Sequence, residues 1–239
     1  MKKTLLKGGV IALSAALLLS SAALSGCRKK TASSSGENIV KSEQPQGDRQ
    51  YDVKLDERTK DTQYQFADDD LSLVDTVSGK KISLGMSRDE IEKITGESTK
   101  TDAEYKYYDG VIVAYKDDKA EALVAASGPF DGDAATRYKT SRGIYIGMPM
   151  EDFKKAYGDE YSEGTESTNE KGETEKSASR ATRYFKKSGS KVEYIGQTLE
   201  SDQKKGDTSG IYFQDYMFSK KDNTVTTIKI AHWETMHGR

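Results

Sequence analysis

The sequence has little of several residue types on which common protein classes depend. It contains one cysteine in 239 residues, which disfavours a scaffold held by paired disulfides. Basic and acidic residues nearly balance, 37 against 39, whereas a nucleic-acid-binding domain usually carries a basic surplus. Only the N-terminus approaches the run of about 20 apolar residues that spans a bilayer, so a polytopic membrane protein is disfavoured too. Hydrophobic residues make up 34% of the chain, which predicts a thin or divided core.

Histidine is also scarce, and this limits the chemistry open to the chain. The two histidines are His232 and His237, close to the C-terminus. A Ser or Cys nucleophile needs a nearby base, most often His, and a zinc site needs three or four Cys, His or carboxylate ligands. Acidic residues at 68–70 and 131–133 do not fit the 12-residue calcium loop with its closing Glu. We therefore predict no catalytic residue, no metal ligand and no cofactor, although paired carboxylates for glycoside hydrolysis stay open because their separation in space decides them.

The first 26 residues have the pattern of an export signal. A short basic segment, residues 2–7, precedes an uncharged stretch over residues 8–23, as is typical of a secretory signal peptide. The stretch is followed by Leu24, Ser25, Gly26 and Cys27. These four residues resemble the lipobox of bacterial lipoproteins, and the resemblance implies cleavage before Cys27 and a diacylglycerol thioether on its sulfur. An ordinary cleaved signal peptide and an uncleaved membrane anchor are the alternatives.

Residues 27–69 are rich in Ser, Gln, Glu, Asp and Lys and contain few apolar residues. This composition is too polar to form a core, so it predicts a flexible tether behind the lipidated cysteine. We expect the protein to be lipid-anchored and extracytoplasmic, on the cell membrane or the outer membrane. Its expected partners are the membrane, through Cys27, and a protein, but no nucleic acid.

The remainder of the chain contains an internal repeat. Residues 82–96 align without a gap to residues 144–158, and each copy has alternating apolar residues, a Gly-Met pair, a short apolar stripe and a closing glycine. The pattern predicts a short strand, a sharp turn and a helix of about two and a half turns. Ser87 and Glu90 form a capping-box pattern in the first copy, whereas Pro149 replaces the capping serine in the second.

Runs of β-branched and aromatic residues follow each helix and predict antiparallel strands. They cover residues 104–108, 111–116, 120–127, 182–186, 191–197, 211–218 and 224–232. The predicted fold is α+β, with two tandem units at residues 70–139 and 140–239, each a short helix packed on an antiparallel β-meander. The polar stretch at 162–180 predicts a mobile insertion in the second unit.

The tandem Gly-Met motif, the meanders and the lipobox together resemble the superfamily of the β-lactamase-inhibitor protein. This superfamily includes the SmpA/OmlA-type lipoproteins of the outer-membrane barrel-assembly machinery. The resemblance covers about residues 71–239 and implies two tandem α/β units whose sheets form a concave face for a protein partner, without catalysis. The sequence departs from the family pattern in its polar insertion, in Pro149 and in its long tether. No binding residue is carried over from the family.

Tyrosine is abundant, with 14 Tyr against 6 Phe and 1 Trp. Tyrosine joins a large apolar surface to a polar tip, which suits a surface that is wet alone and buried in a complex. The candidate partner-binding residues are Tyr105, Tyr107, Tyr212, Tyr216 and Trp233; the alternative is that these residues pack half-buried beneath the helices. The sequence thus predicts a non-catalytic binding or scaffold lipoprotein with a Tyr-rich sheet face. A carboxylate-based hydrolase of envelope polymers and a structural peptidoglycan-binding lipoprotein are the alternatives.

Overall fold

The computed structural model describes residues 55–130, 132–168, 174–199 and 206–237. The signal-peptide and lipobox predictions, including Cys27, and residues 27–54 of the predicted tether lie outside the described residues. The described strands are β1 (Ser72–Asp75), β2 (Lys81–Ser83), β3 (Lys100–Asp102), β4 (Tyr105–Tyr108), β5 (Val111–Lys116), β6 (Lys119–Ala126), β7 (Tyr138–Thr140), β8 (Glu166–Thr168), β9 (Thr174–Lys176), β10 (Arg180–Ser188), β11 (Lys191–Gly196), β12 (Ile211–Phe218) and β13 (Val225–His232). The described helices are α1 (Arg88–Thr95), α2 (Met150–Tyr157) and α3 (Trp233–His237), with 3-10 turns at Asp68–Leu71 and Gly132–Ala134. The expected α+β class is confirmed.

An eight-stranded antiparallel sheet forms the centre of the fold. Its strand order is β11-β10-β12-β13-β6-β5-β4-β3. Strands β4 to β6 and β10 to β13 match the seven strands predicted from the sequence, with ends that differ by three residues or fewer. Strands β3 to β6 lie side by side in chain order, as expected of a meander, whereas β12 pairs with β10 and not with β11, so the meander predicted for the second unit is wrong. The two strand groups, β3 to β6 and β10 to β13, meet where β6 pairs with β13, from Ala122 opposite Ala231 to Ala126 opposite Thr227.

A second, three-stranded sheet, ordered β2-β1-β7, was not predicted. The first predicted repeat strand is β2, and it pairs with β1. Its predicted counterpart at residues 144–146 is not a strand, since only a single bridge joins Tyr145 to Lys139. There the backbone turns back on itself, because the Gly143 amide donates to the Thr140 carbonyl at 2.9 Å.

A buried ion pair fastens this small sheet. The Asp75 carboxylate, at the end of β1, accepts from Arg137 Nε at 3.0 Å and Nη2 at 2.9 Å. It also accepts from the Val77 amide at 3.0 Å and the Ser78 hydroxyl at 2.8 Å. Burial raises the pKa of the Asp75 carboxyl, but these hydrogen bonds outweigh burial and hold the pKa below its usual value.

Both predicted repeat helices begin and end as expected. Ser87 caps α1, and the carboxylate of Glu90 accepts from the Ser87 amide at 2.7 Å, which completes the capping box. Pro149 caps α2 with a φ of −60° and no side-chain hydrogen bond. The turns before the two helices place Gly85 at φ 82° and Gly147 at φ 95°, a backbone region that favours glycine over residues with a Cβ.

Helices α1 and α2 pack on one side of the eight-stranded sheet, which we call the helix face. Ile91 of α1 and Phe153 of α2 are fully buried. The Phe153 ring meets the rings of Tyr216 and Phe218 with centroids 4.9 and 5.2 Å apart. The buried sheet residues of this face include Tyr108, Val111, Val113, Leu123, Ala125, Ala181, Phe185, Ile228 and Ile230.

Residues 55–67 form a strap that lies against the folded part of the chain, which corrects the predicted tether of residues 27–69. Leu55 and Phe66 pack against the core, and the Asp56 amide donates to the Arg142 carbonyl at 3.1 Å. The strap is held largely through backbone hydrogen bonds and two aromatic rings, those of Phe66 and Tyr64, the latter stacked on Tyr194 with centroids 5.1 Å apart. Its polar composition therefore gave no indication of it.

The buried side chain of Arg142 binds the strap through hydrogen bonds to its backbone, a contact that we call the clasp. Arg142 is 1% exposed, and it donates to the carbonyls of Gln63 at 3.0 Å and Gln65 at 2.8 Å. Its Nε lies 2.8 Å from Asp70 Oδ1, and its guanidinium carbon lies 4.1 Å from the ring centroid of Phe66. One buried cation therefore joins the strap to the core.

The predicted insertion at residues 162–180 contains a two-stranded hairpin, β8 and β9, and the first residue of β10. Its described side chains are mostly exposed, in keeping with its polar composition.

Candidate functional site

The side of the eight-stranded sheet opposite α1 and α2 is the candidate functional surface, and we call it the open face. Residues directly opposite each other on antiparallel strands project to the same side of a sheet. The pairings therefore place three rows of side chains on the open face. The alanine row is Tyr105, Ala114, Ala122, Ala231, Phe213 and Tyr184; the lysine row is Tyr107, Ile112, Val124, Lys229, Asp215 and Thr182; the methionine row is Ala126, Thr227, Met217 and Arg180.

The alanine row is closed to solvent at its centre, where Ala114, Ala122, Ala231 and Phe213 are each 4% exposed or less. Three small side chains lie at its centre, and the larger rings of Tyr105 and Tyr184 pack against this cluster from either end. Six strands at a spacing of about 4.8 Å give the row a length of about 24 Å.

The other two rows give the open face an apolar, partly exposed surface. Ile112 and Val124 are half-buried, and Met217 is 40% exposed, one of three large hydrophobic side chains in the described part of the chain that are exposed. Grouped apolar side chains of this kind mark interaction surfaces more often than isolated ones do.

A charged group lies beside these apolar residues. Asp215 is 2% exposed, and it accepts from Arg180 Nη2 at 2.9 Å through Oδ2 and from the Thr182 hydroxyl at 2.9 Å through Oδ1. Arg180 Nε also donates to Oδ1. These hydrogen bonds raise the pKa of Arg180, so its guanidinium stays charged while both oxygens of Asp215 are occupied.

Two of the predicted partner-binding residues lie on the open face. Tyr105 and Tyr107 are neighbours on β4, and both are half-buried. Side chains two residues apart on a strand point to the same side, which is why Tyr105 and Tyr107 were expected to share one face. The pairing of β4 with β5 shows that this face is the one opposite α1 and α2.

Tyr212 and Tyr216 share a side of β12, but it is the helix face. Tyr216 is fully buried, and its hydroxyl lies 2.8 Å from that of Tyr157 on α2. Tyr216 is therefore corrected from a candidate contact residue to a core residue. Both faces of β12 are covered with apolar side chains, as Tyr212 and Phe213 illustrate, so the sequence period does not show which side meets the helices.

Trp233 is also corrected, because it is only 8% exposed. It begins α3 and packs with Leu199 and Ile211 in a small cluster at one end of the open face. Its ring meets that of Tyr184 edge-on, with centroids 5.9 Å apart. The sequence did not indicate that Tyr184, Met217 and Lys229 belong to the open face. Only the pairing of their strands shows which side of the sheet these side chains project from.

Tyr212 lines a separate cavity of about 390 Å³ on the helix face, which also contains Asp68, Asp69, Glu121 and Lys187. Lys187 Nζ lies 3.0 Å from Asp68 Oδ1, and Lys81 pairs with Asp69. Glu121 accepts from the Thr235 hydroxyl at 3.1 Å. No cluster of three or more His, Cys, Asp or Glu residues in the described ranges is arranged to hold a metal ion.

Comparison with known proteins gives no family for this chain. No protein-family model matches it, and no curated protein matches it. A crystal structure of a cysteine-rich secretory protein from Staphylococcus aureus aligns over 64% of this chain and 44% of its own, at 12% identity and a TM-score of 0.32. The alignment thus spans less than half of that protein, and the likeness is too low to bear on fold or function. Within the described ranges, no helix has the length and apolar character to cross a membrane.

Proposed function

We propose that this protein is a lipid-anchored, extracytoplasmic binding protein that holds a protein partner on the open face of its sheet, without catalysis. The observation that carries the proposal is the open face itself. Half-buried Tyr105, Tyr107, Ile112 and Val124 lie there beside exposed Met217, and α1 and α2 pack on the other side. An apolar surface of this extent favours a protein segment over a small polar ligand.

We also propose that the two strand groups belong to tandem units with the boundaries 70–139 and 140–239. Each half supplies a helix that follows a positive-φ glycine and ends at another, and then antiparallel strands of the shared sheet. This arrangement supports the proposed kinship with the β-lactamase-inhibitor-protein superfamily, because joining the two strand groups at β6 and β13 produces one surface larger than either unit offers alone.

The lipid anchor at Cys27 is the second part of the proposal. The support for it is the sequence, since the only cysteine follows directly on Leu24, Ser25 and Gly26. Cys27→Ala is expected to move the protein from the membrane fraction to the supernatant and to abolish incorporation of a fatty-acid probe. Probe incorporation that persists in the variant would refute lipidation at this residue.

Site-specific photo-crosslinking in intact cells tests the binding function. A photoreactive amino acid at Tyr107 or Ile112 is expected to capture one dominant protein partner, identified by mass spectrometry. The matched control is Lys93, which is exposed on α1 and therefore on the opposite side of the sheet. Capture of glycan alone at Ile112, or the same products from Lys93, would contradict the proposal.

A further inference from the structure

Lys229 is a cation in the middle of the open face, and it forms no ion pair with any residue that the structure describes. It lies on β13, opposite Val124 on β6 and opposite Asp215 on β12. No carboxylate of the described residues lies within 4.0 Å of its ammonium nitrogen. The nearest candidate by register is Asp215, but both of its oxygens are already hydrogen-bonded, to Arg180 and Thr182.

The surroundings of Lys229 exclude part of its water, and the carboxylate opposite it, Asp215, is already paired with Arg180. The side chain is half-buried. Burial lowers the pKa of Lys229, and Asp215 offsets this only in part while Arg180 adds to it. A partly desolvated cation of this kind gains more from a new carboxylate than a fully hydrated one does, because the local dielectric is lower and less water must be removed.

Other cations of the open face differ from Lys229 in this respect, and one of them, Lys186 on β10, is exposed. Arg180 is paired with Asp215. Lys100 belongs to the edge strand β3, where it is exposed and lies 4.8 Å from the ring centroid of Tyr107. Among these cations, only Lys229 combines a central position, the apolar residues Val124 and Ile112 on one side of its row and no ion pair with any described residue. Such positions carry much of the binding energy in protein interfaces, whereas charges at the rim carry little.

We infer that the protein partner presents an Asp or Glu side chain to Lys229 and flanks it with apolar residues that contact Ile112, Val124 and Met217. This inference rests on the proposed function and specifies its partner as an acidic residue within an apolar segment. The carboxylate would give Lys229 a charge-assisted hydrogen bond, and the flanking residues would exclude water from it.

A random 12-residue peptide library displayed on phage tests the inference, with detergent-solubilised full-length protein as bait. We expect the enriched peptides to carry Asp or Glu between apolar residues. Synthetic copies of these peptides should bind Lys229→Met about tenfold or more weakly than wild type, since a hydrogen bond to a charged group contributes about 1.5–3 kcal/mol. The matched control is Lys221→Met, which removes the same charge from an exposed turn and should leave the affinity unchanged.

Two further measurements separate binding from folding. Lys229→Met should keep or raise the thermal midpoint, because it removes a partly desolvated charge, and Lys229→Glu should prefer peptides whose acidic residue is replaced by Lys. Peptides that lose affinity on Ile112→Asp but bind Lys229→Met as well as wild type would overturn the inference and leave the proposed function standing. Failure to enrich any peptide that is sensitive to Ile112→Asp would count against both.

Discussion

Removal of Arg142 is expected to destabilise the fold far more than removal of a surface charge. Its guanidinium makes hydrogen bonds to Asp70 and to the carbonyls of Gln63, Gln65 and Ala156, the last at 3.2 Å. Loss of one partner of a buried ion pair leaves the other charge uncompensated, which costs about 3–5 kcal/mol. For a unit of this size, each kcal/mol lowers the melting temperature by about 2–4 °C, so Arg142→Ala should lower it by on the order of 10 °C.

A double-mutant cycle isolates the ion pair from the packing of the side chain. Arg142→Met retains much of the aliphatic volume, and Asp70→Asn retains the shape of the carboxylate. The double variant should be less destabilised than the sum of the single variants, with a coupling of about 1–3 kcal/mol, because no unpaired charge remains. Urea unfolding followed by the fluorescence of Trp233, the only tryptophan, measures each free energy of unfolding.

The exposed pair of Lys81 and Asp69, with side chains 45% and 64% exposed, supplies the control. Lys81→Ala should change the free energy of unfolding by no more than about 1 kcal/mol. Limited proteolysis gives an independent readout, since cleavage within residues 56–65 should accelerate in Arg142→Ala if the strap is released. Strictly additive single variants, or a strap as resistant as in wild type, would refute the clasp.

Three other variants test local features. Asp75→Asn should lower the free energy of unfolding at pH 7 and make it decline less in acid. The folded-state pKa of Asp75 is lowered, so the stability that Asp75 contributes is present above the unfolded-state pKa of about 4 and is lost as the pH falls through the folded-state pKa. Equal urea midpoints for the variant and the wild type from pH 7 to 2 would contradict this. Ser87→Ala should cost about 1 kcal/mol and Ser87→Gly only a few tenths, and a Ser87→Ala variant as stable as wild type in chemical denaturation would exclude the side-chain cap. Gly110→Ala should lower the melting temperature more than Gly79→Ala does, although both glycines have a positive φ. A Cβ at residue 110 would lie 2.3 Å from the Ala134 carbonyl oxygen, whereas a Cβ at residue 79 would meet nothing within 4 Å. Similar melting temperatures for the two variants would rule out the clash.

The elements that depend on local pattern were predictable from the sequence. Alternation of apolar residues and the Asp109-Gly110 turn located β4 and β5. The capping box at Ser87 located the start of α1. These features are encoded by neighbouring residues, so one sequence is sufficient to find them.

The elements that depend on distant partners were not predictable. Strand β7 has three residues and is defined by its pairing with β1, more than 60 residues earlier. The strap depends on Arg142, whose buried position no local pattern indicates. The side of the sheet that meets the helices was not predictable for the same reason. Tyr107 and Tyr216 lie in similar strand patterns, and only the packing of α2 against Tyr216 shows that the two side chains are on opposite faces.

The pairing of β6 with β13 has a consequence for the order in which the chain folds. About 100 residues separate the two strands, so the entropy of loop closure delays their contact relative to the hairpins on either side. Until β13 has been synthesised, the first meander exposes β6 as a free edge composed largely of alanine, leucine and valine. Such an edge is a template for pairing with other chains. A chain that stops before residue 225 would therefore be expected to aggregate through β6, because β13 is the strand that covers this edge.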